Sequence, residues 1–413
     1  MKSSIRLNNT VLVLSCMGTG LFLWLFLSLG HDYVPYTRLP ATKAVDTTGA
    51  SATTASSAPD QTLVVETPPE PDHIPNAAHY VYILANASSD FSFSFSEVLS
   101  IYATSRYWQP DAIYLHTNAP SAALVRARSG AAGKWTRLLF QVPNLRIAAV
   151  EVPTHAHNGK EIALMEHKSD FVRVQALRRH GGVYLDFDVH PLRDIAPLRE
   201  SGFHAVAGRQ QGDNAEINSG VFMNKAHSRM IELWSEGMNE AFTGEWSAHS
   251  NGALTAVCER LVSEPREVLI MERNAFAPGS WMKDDTIRLL EVHDDETSSL
   301  DMMGPDGHLP QYDDEERMTR WPVPKRRPGW AQDWSRTYML HAFNHNQGDF
   351  EIPGFERITP RYVLERRSNM ARAVYPVARD LFEHGLIDIE DPYKFHVEPA
   401  VVEAEHVATD EAE

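Results

Sequence analysis

Residues 169–195 read SDFVRVQALRRHGGVYLDFDVHPLRDI, and their succession of helix, break, strand and paired acids organises the rest of the chain around them. Upstream, Ile162, Met165, Val172 and Ala176 recur at spacings that share one face, which predicts a helix over 160–180. Gly181 and Gly182 stop it. A glycine just past the last turn accepts the left-handed conformation, so the chain can reverse into a strand starting at Val183. At the end of that strand Asp186 and Asp188 stand two residues apart, and on extended backbone such side chains point the same way and converge on one hard cation. A lone carboxylate pair suits Mg2+ or Mn2+, which take further oxygens from a bound phosphate, although such pairs also arise by chance on exposed turns. On the helix, Asp170 and Arg173 are three apart and share a face with Leu177. Two readings stay open for them: a surface ion pair, or a carboxylate and guanidinium near the metal end of the strand that hydrogen-bond sugar hydroxyls.

The combination of Ser169-Asp170, Arg173, Leu177, Gly181-Gly182, Tyr184 and Asp186-Phe187-Asp188 at fixed offsets resembles the DXD sugar-binding region of glycosyltransferase family 32. The resemblance implies that Asp170 and Arg173 contact a donor sugar, that Tyr184 packs near its nucleotide, and that Asp186 and Asp188 serve metal and ribose. Without it, Tyr184 reads as a core aromatic on a buried strand. Further matches follow in the family's order. Ile217-Asn218-Ser219-Gly220-Val221-Phe222-Met223 resembles a strand that carries a polar residue toward the donor, at Asn218; read alone, Asn218 is a turn residue before a strand. Gly252-Ala253-Leu254-Thr255 resembles a Gly-Pro-x-x-Leu-Thr helix start, without the proline and with shorter spacing. Ala275-Phe276-Ala277-Pro278 matches a Phe-x-Pro segment. Tyr338-Met339-Leu340-His341 resembles a late strand whose His completes the metal shell, whereas a lone His after an apolar strand is otherwise a core or surface residue. His190 and His345 have a weaker claim. The resemblance spans roughly residues 80–345.

Strands alternate with helices around this centre: 80–85, 112–116 and 146–150 read as strands and 96–108 as a helix. Helical crossovers between strands imply a parallel sheet with ligands at its carboxyl ends. The fold class expected is α/β, and the resemblance implies a GT-A, Rossmann-like nucleotide-sugar fold with added acceptor-side helices from about residue 225. There is no internal repeat and no dinucleotide or Walker glycine motif.

With 413 residues, 43% of them hydrophobic, the chain can bury a large core. Its net charge of -17, from 38 basic and 55 acidic residues, argues against nucleic acid as a partner. Cys16 and Cys258 are the only cysteines, and Cys16 lies in the apolar N-terminal segment. An internal disulfide framework in the folded region is therefore excluded.

Residues 11–29 carry no formal charge over a length that spans a hydrocarbon core, and Lys2 and Arg6 precede them. The positive-inside rule makes 1–10 a cytoplasmic tail, 11–29 a transmembrane signal anchor, and the remainder lumenal, a single-pass type II arrangement. A cleaved signal peptide is the competing reading, since Ser28-Leu29-Gly30 offers small residues. Residues 30–79, rich in Thr, Ser, Ala and Pro, read as a disordered stem, 80–395 as the catalytic domain and 396–413 as an acidic tail. Asn86-Ala87-Ser88 is a glycosylation sequon.

The resemblance implies a metal-dependent retaining glycosyltransferase using Mn2+ or Mg2+, and the type II reading of the N-terminus places it at the Golgi membrane. It moves a hexose from a UDP- or GDP-sugar donor to a glycan or glycolipid acceptor. Asp170, Arg173 and Asp188 carry the reaction, Tyr184, Asp186 and Asn218 bind the donor, and Asp186, Asp188 and His341 hold the metal. Asp284 and Asp285 are acceptor-site groups or surface acids. A catalytically inactive carbohydrate-binding type II membrane protein is the alternative. A metal-dependent hydrolase would need ligands for a second ion, and the sequence shows no such cluster.

Overall fold

The computed structural model describes residues 72–210, 215–312, 327–343 and 350–390. The expected tail, anchor and most of the stem (1–71), the acidic tail, Cys16 and His345 lie outside the described residues, within which no helix is long and apolar enough to cross a membrane.

The strands are β1 (Ala77–Val81), β2 (Ala112–Thr117), β3 (Leu145–Ala149), β4 (Gly182–Leu185), β5 (Val189–Pro191), β6 (Ala205–Arg209), β7 (Ile217–Asn224), β8 (Val268–Met271) and β9 (Met339–His341). The α-helices are α1 (Phe95–Trp108), α2 (Ser121–Ser129), α3 (Lys134–Leu139), α4 (Met165–His180), α5 (Ala196–Arg199), α6 (Arg229–Ala241), α7 (Ala253–Leu261), α8 (Lys283–Leu290), α9 (Pro360–Glu365) and α10 (Asn369–Glu383). Seven strands form one sheet in the order β3-β2-β1-β4-β7-β6-β8, and β5 pairs with β9 in a separate ribbon. Only β7 runs against the rest of the large sheet. The parallel sheet expected from the helical crossovers is present across β3, β2, β1 and β4, and β7 adds a reversed strand to it. The connection from β6 to β7 is too short for a crossover, and a short connection allows only antiparallel neighbours.

Alternation along β4 explains the two-sided core. Val183 and Leu185 pack into a cluster with α1 and α10, whereas Tyr184 faces a second cluster with Val174 and Leu177 of α4, Trp234 of α6 and Leu254 of α7. Strands covered on both faces read as continuous apolar runs, and all eight residues of β7 are buried.

Two expected boundaries shift. The helix begins at Met165 rather than 160, because Asn158-Gly159 closes a turn in which Ala156 N–H donates to Lys160 and Ile162 N–H to Thr154. The first strand begins at Ala77 and its ladder ends at Val81; beyond it the Asn118 side chain both accepts from Leu84 N–H and donates to Leu84 O. The glycine break is required as expected. Gly181 and Gly182 have φ of 62° and 107°, and a Cβ on Gly182 would lie 2.5 Å from Ala77 O.

Candidate active site

Asp186 and Asp188 sit where β4 ends, between its parallel neighbour β1 and its antiparallel neighbour β7. Phe187 between them turns the opposite way, into Tyr80 and Phe93 with ring centroids 4.7 and 5.0 Å away. The backbone that follows is pinned: Asp186 N–H donates to Gly220 O at 2.8 Å, and Ala342 N–H to Asp188 O at 2.9 Å. Pairing of β5 with β9 sets Val189 opposite His341, which brings that imidazole to the acids. One ligand atom from each of Asp186, Asp188 and His341 lies within 4.8 Å of the others. Two carboxylates and one imidazole form a donor set that fits Mn2+ or Mg2+, with room left for oxygen ligands from elsewhere.

The two acids are held differently. Asp186 Oδ1 accepts from Tyr184 Oη at 2.5 Å and pairs with Arg173 Nη2 at 3.1 Å. Burial pushes its carboxyl up, against the pull of Arg173. Asp188 keeps about a third of its side chain exposed, and among the described residues its ion-pair partner is His341, whose Nε2 lies 3.3 Å away. Burial would raise Asp188 too, but the His341 beside it outweighs that and holds it below the ordinary value. Asp188 is thus the freer oxygen donor.

His341 is itself oriented. Asn218 Oδ1 accepts from Gly220 N–H at 2.6 Å, which fixes the amide so that its Nδ2 donates to His341 Nδ1 at 2.8 Å. A neutral ring then carries its proton on Nε2, aimed at Asp188. Ligation through Nε2 needs that proton to move to Nδ1 and the Asn218 amide to turn. Asn218 therefore reaches the donor side of the site through the imidazole rather than standing free. Gly220 leaves the space for all of this: a Cβ there would fall 2.6 Å from Asp186 Oδ2 and 2.9 Å from His341 Cε1.

Asp170 and Arg173 are not a surface pair. Their side chains are 10% and 7% exposed, joined at 3.1 Å. Arg173 also donates to Ser219 O at 3.0 Å and lies 4.5 Å over the Tyr184 ring, so one guanidinium ties helix α4, strand β4 and strand β7 together. Burial opposes its charge, but Asp186, Tyr184 and Asp170 more than offset this and keep it protonated. Tyr184 is fully buried, which raises its hydroxyl well above the usual range, and it holds Asp186 as a hydrogen-bond donor.

Sequence reasoning passed over His249. It is fully buried in a π-helical turn, Ala248–Gly252, and its Nε2 sits 2.9 Å from Asp170 Oδ2. The same turn presents Asn251 Oδ1 to Ser219 N–H at 2.9 Å, and Thr255 Oγ1 accepts from Ile217 N–H at 2.8 Å, clamping β7 beside the acids. Single π-turns inside helices recur at functional sites, but no residue type announces one. Of the remaining candidates, His190 is buried against Ser96, 3.5 Å from its hydroxyl, Asp284 is exposed, and Asp285 accepts from Ser280 and Arg288.

Residues 79–204 match the family described as the glycosyltransferase sugar-binding region containing the DXD motif. Over those residues the chain is similar to the DXD glycosyltransferases. Among these, the family-32 likeness read from residues 169–195 stands, supported by 24% identity over 230 residues to glucan organizing enzyme 1 of Cryptococcus neoformans var. grubii. That alignment takes in 53% of this chain and 58% of the relative, so the chain spans a little over half the length of the protein it matches. Among solved structures, the PaToxG glycosyltransferase aligns with 47% of this chain and 72% of its own at 14% identity and a TM-score of 0.34. Mouse xyloside xylosyltransferase 1 aligns with 49% and 87% at 11% identity and a TM-score of 0.30.

Proposed function

We propose that this chain is a divalent-metal-dependent, retaining hexosyltransferase of GT-A architecture. It transfers a sugar from a UDP- or GDP-sugar to a glycan or glycolipid acceptor in the Golgi lumen. The observation that carries the reading is the convergence of Asp186, Asp188 and His341 at the carboxyl end of β4, where the sheet changes direction. In open α/β sheets ligands bind outside such carboxyl ends. The DXD match over residues 79–204 supports the reaction class, and the type II reading of residues 1–79 supports the compartment. The relative's name refers to glucan, which favours a polysaccharide acceptor over a lipid.

When bound, Mn2+ or Mg2+ supplies a Lewis acid for the charge that grows on the departing diphosphate. Asp188 is the principal protein ligand because its oxygens are least committed, with Asp186 and His341 completing the protein's share. Arg173 fixes the Asp186 carboxylate in position, and Tyr184 Oη donates to the same oxygen. Asp170, held between Arg173 and His249, keeps oxygen lone pairs for sugar hydroxyls and orients the donor for the incoming acceptor hydroxyl.

Donor hydrolysis measured with UDP-galactose, GDP-mannose and UDP-GlcNAc, with Mn2+ and with chelator, tests the proposal. Turnover of one donor that chelation abolishes is expected. No metal-dependent turnover of any of them would favour an inactive carbohydrate-binding protein.

A further inference from the structure

The turn after β1 holds Asn86-Ala87-Ser88, a triplet that no step assigned above uses, and residues 85–88 are all exposed. We propose that Asn86 is a modification site carrying an N-linked oligosaccharide, at the sheet edge that also bears Asp186 and Asp188. The proposal goes beyond the transferase chemistry and rests on the placement of this domain in the secretory lumen.

Three observations carry it. The first is the shape of the triplet. Ser88 donates to Asn86 Oδ1 twice, from its backbone N–H at 3.0 Å and from its Oγ at 2.6 Å, and Ser89 N–H donates to Asn86 O at 3.2 Å. This is an Asx turn closed within four residues, so it needs nothing from the rest of the fold and can form as the chain emerges. Both side-chain hydrogen bonds fall on the amide oxygen, the atom that gains negative charge as the amide nitrogen loses a proton. They therefore favour the nucleophilic form of that nitrogen. Among the described residues Nδ2 itself donates to nothing.

The second observation is the mounting. Beneath the turn, Asn118 holds both backbone groups of Leu84 at 2.8 and 3.0 Å, Tyr82 Oη accepts from Ser92 N–H at 3.0 Å, and Asp90 pairs with Arg126 at 2.7 Å. Phe91 and Phe93 are buried between these ties. The apolar and charged groups of the loop are thus already matched, and the triplet alone projects. A bulky, solvated glycan fits there without displacing a packed side chain.

The third is selection. The sequence holds one other Asn-x-Ser/Thr triplet, Asn8-Asn9-Thr10, and it falls in the expected cytoplasmic tail. Asn86 is then the acceptor of the lumenal part. Because β1 and β4 are parallel neighbours, the chain leaves the sheet toward Asn86 and toward Asp186 at the same edge, and the Tyr82 ring lies 6.3 Å from that of Phe187. The glycan flanks the donor side while replacing none of the residues assigned there.

In the modification Asn86 Nδ2 displaces the diphosphate from the anomeric carbon of a lipid-linked oligosaccharide. The C1–N bond forms, the C1–O bond to phosphate breaks, the diphosphate leaves with the electron pair, and the amide proton passes to a base of the transferring enzyme.

The test expresses the full chain in a eukaryotic secretory host and follows its electrophoretic mobility with and without peptide-N-glycosidase, with peptide mass spectrometry across residue 86. The parent should lose the mass of one glycan on treatment. Asn86→Asp keeps the acceptor oxygens of the turn but has no amide nitrogen, and it should run untreated at the deglycosylated position. Ser88→Ala should do the same, whereas Ser88→Thr should keep the glycan. An unmodified Asn86 in the parent would overturn the proposal, as would a glycan that survives Asn86→Asp. Protease added outside sealed microsomes separates the causes of such a failure. A protected but unmodified catalytic domain refutes the site alone, and a digested one removes the lumenal placement with it.

Discussion

One half of the candidate site comes from 27 consecutive residues, 169–195, and the other half arrives from three distant segments at Asn218, His249 and His341. In the first half each side chain is placed by local geometry. Helix periodicity sets Asp170 and Arg173 on one face, two glycines turn the chain, and strand alternation puts Tyr184 and Asp186 on one side. In the second half the placing is done by pairing and packing across the sheet: β9 on β5, and the π-turn against Asp170 and Ser219. A contiguous motif can therefore mark the chemistry while revealing nothing of what holds it in place.

If the local half carries the chemistry, its freest acid should be the most costly to change. Asp188→Asn is expected to lower donor turnover by roughly a hundredfold or more with the melting temperature unchanged, measured by hydrolysis and thermal scans. A tenfold loss or less would move the chemistry elsewhere.

Gly220→Ala probes the junction of the halves. Its Cβ would meet both Asp186 and His341, so the cluster must spread. Overpacking of this kind costs about 1–3 kcal/mol. Turnover should fall severalfold to tenfold more than in a control such as Gly237→Ala, where nothing lies within 4 Å of the added carbon.

His249→Ala tests whether the distant half acts through Asp170. It leaves a buried carboxylate oxygen without its partner, a loss worth about 1–3 kcal/mol. Donor KM should rise and kcat fall, Gln at 249 should restore part of both, and the change should add nothing in an Asp170→Asn background. Full additivity would make His249 merely structural.

The smallest effect belongs to a region remote from the acids. His79 and His116 are buried on β1 and β2, with ring nitrogens 2.9 Å apart, and the His79 ring stacks on Tyr114, His116 and His180. Burial holds His79 well below the ordinary imidazole value and brings His116 down to about 4. Above pH 6.5 both folded and unfolded chains are neutral at these groups. Between 6.5 and about 4 only the unfolded chain takes the protons, so stability falls as pH falls. The slope is about 1.4 kcal/mol per pH unit for each such imidazole. Urea midpoints at pH 7 and 5 should differ less in His116→Gln than in the parent, with turnover at pH 7 unaffected.

Those regions also mark how far the sequence could be read. The order of strands and helices, the glycine break and the DXD segment were legible because each rests on spacing within a few residues. The reversed β7 was not, since direction follows from the short connection at 210–216 rather than from the residues of the strand. The early end of β1 turned on a side chain 34 positions away, Asn118 completing the ladder at Leu84. Asp170 and Arg173 were found, yet whether they formed a surface pair or a buried one depended on α6, α7 and the π-turn covering them. His249 had no signal at all, because nothing in Ala248-His249-Ser250-Asn251-Gly252 differs from an ordinary polar turn.

The central claim is that the acids at the end of β4 hold a divalent ion, and electron paramagnetic resonance of Mn2+ reads that directly. Adding protein and UDP should deplete the free-ion signal for the parent but leave it essentially undiminished for Asp188→Asn. Equal depletion by both proteins would contradict the account.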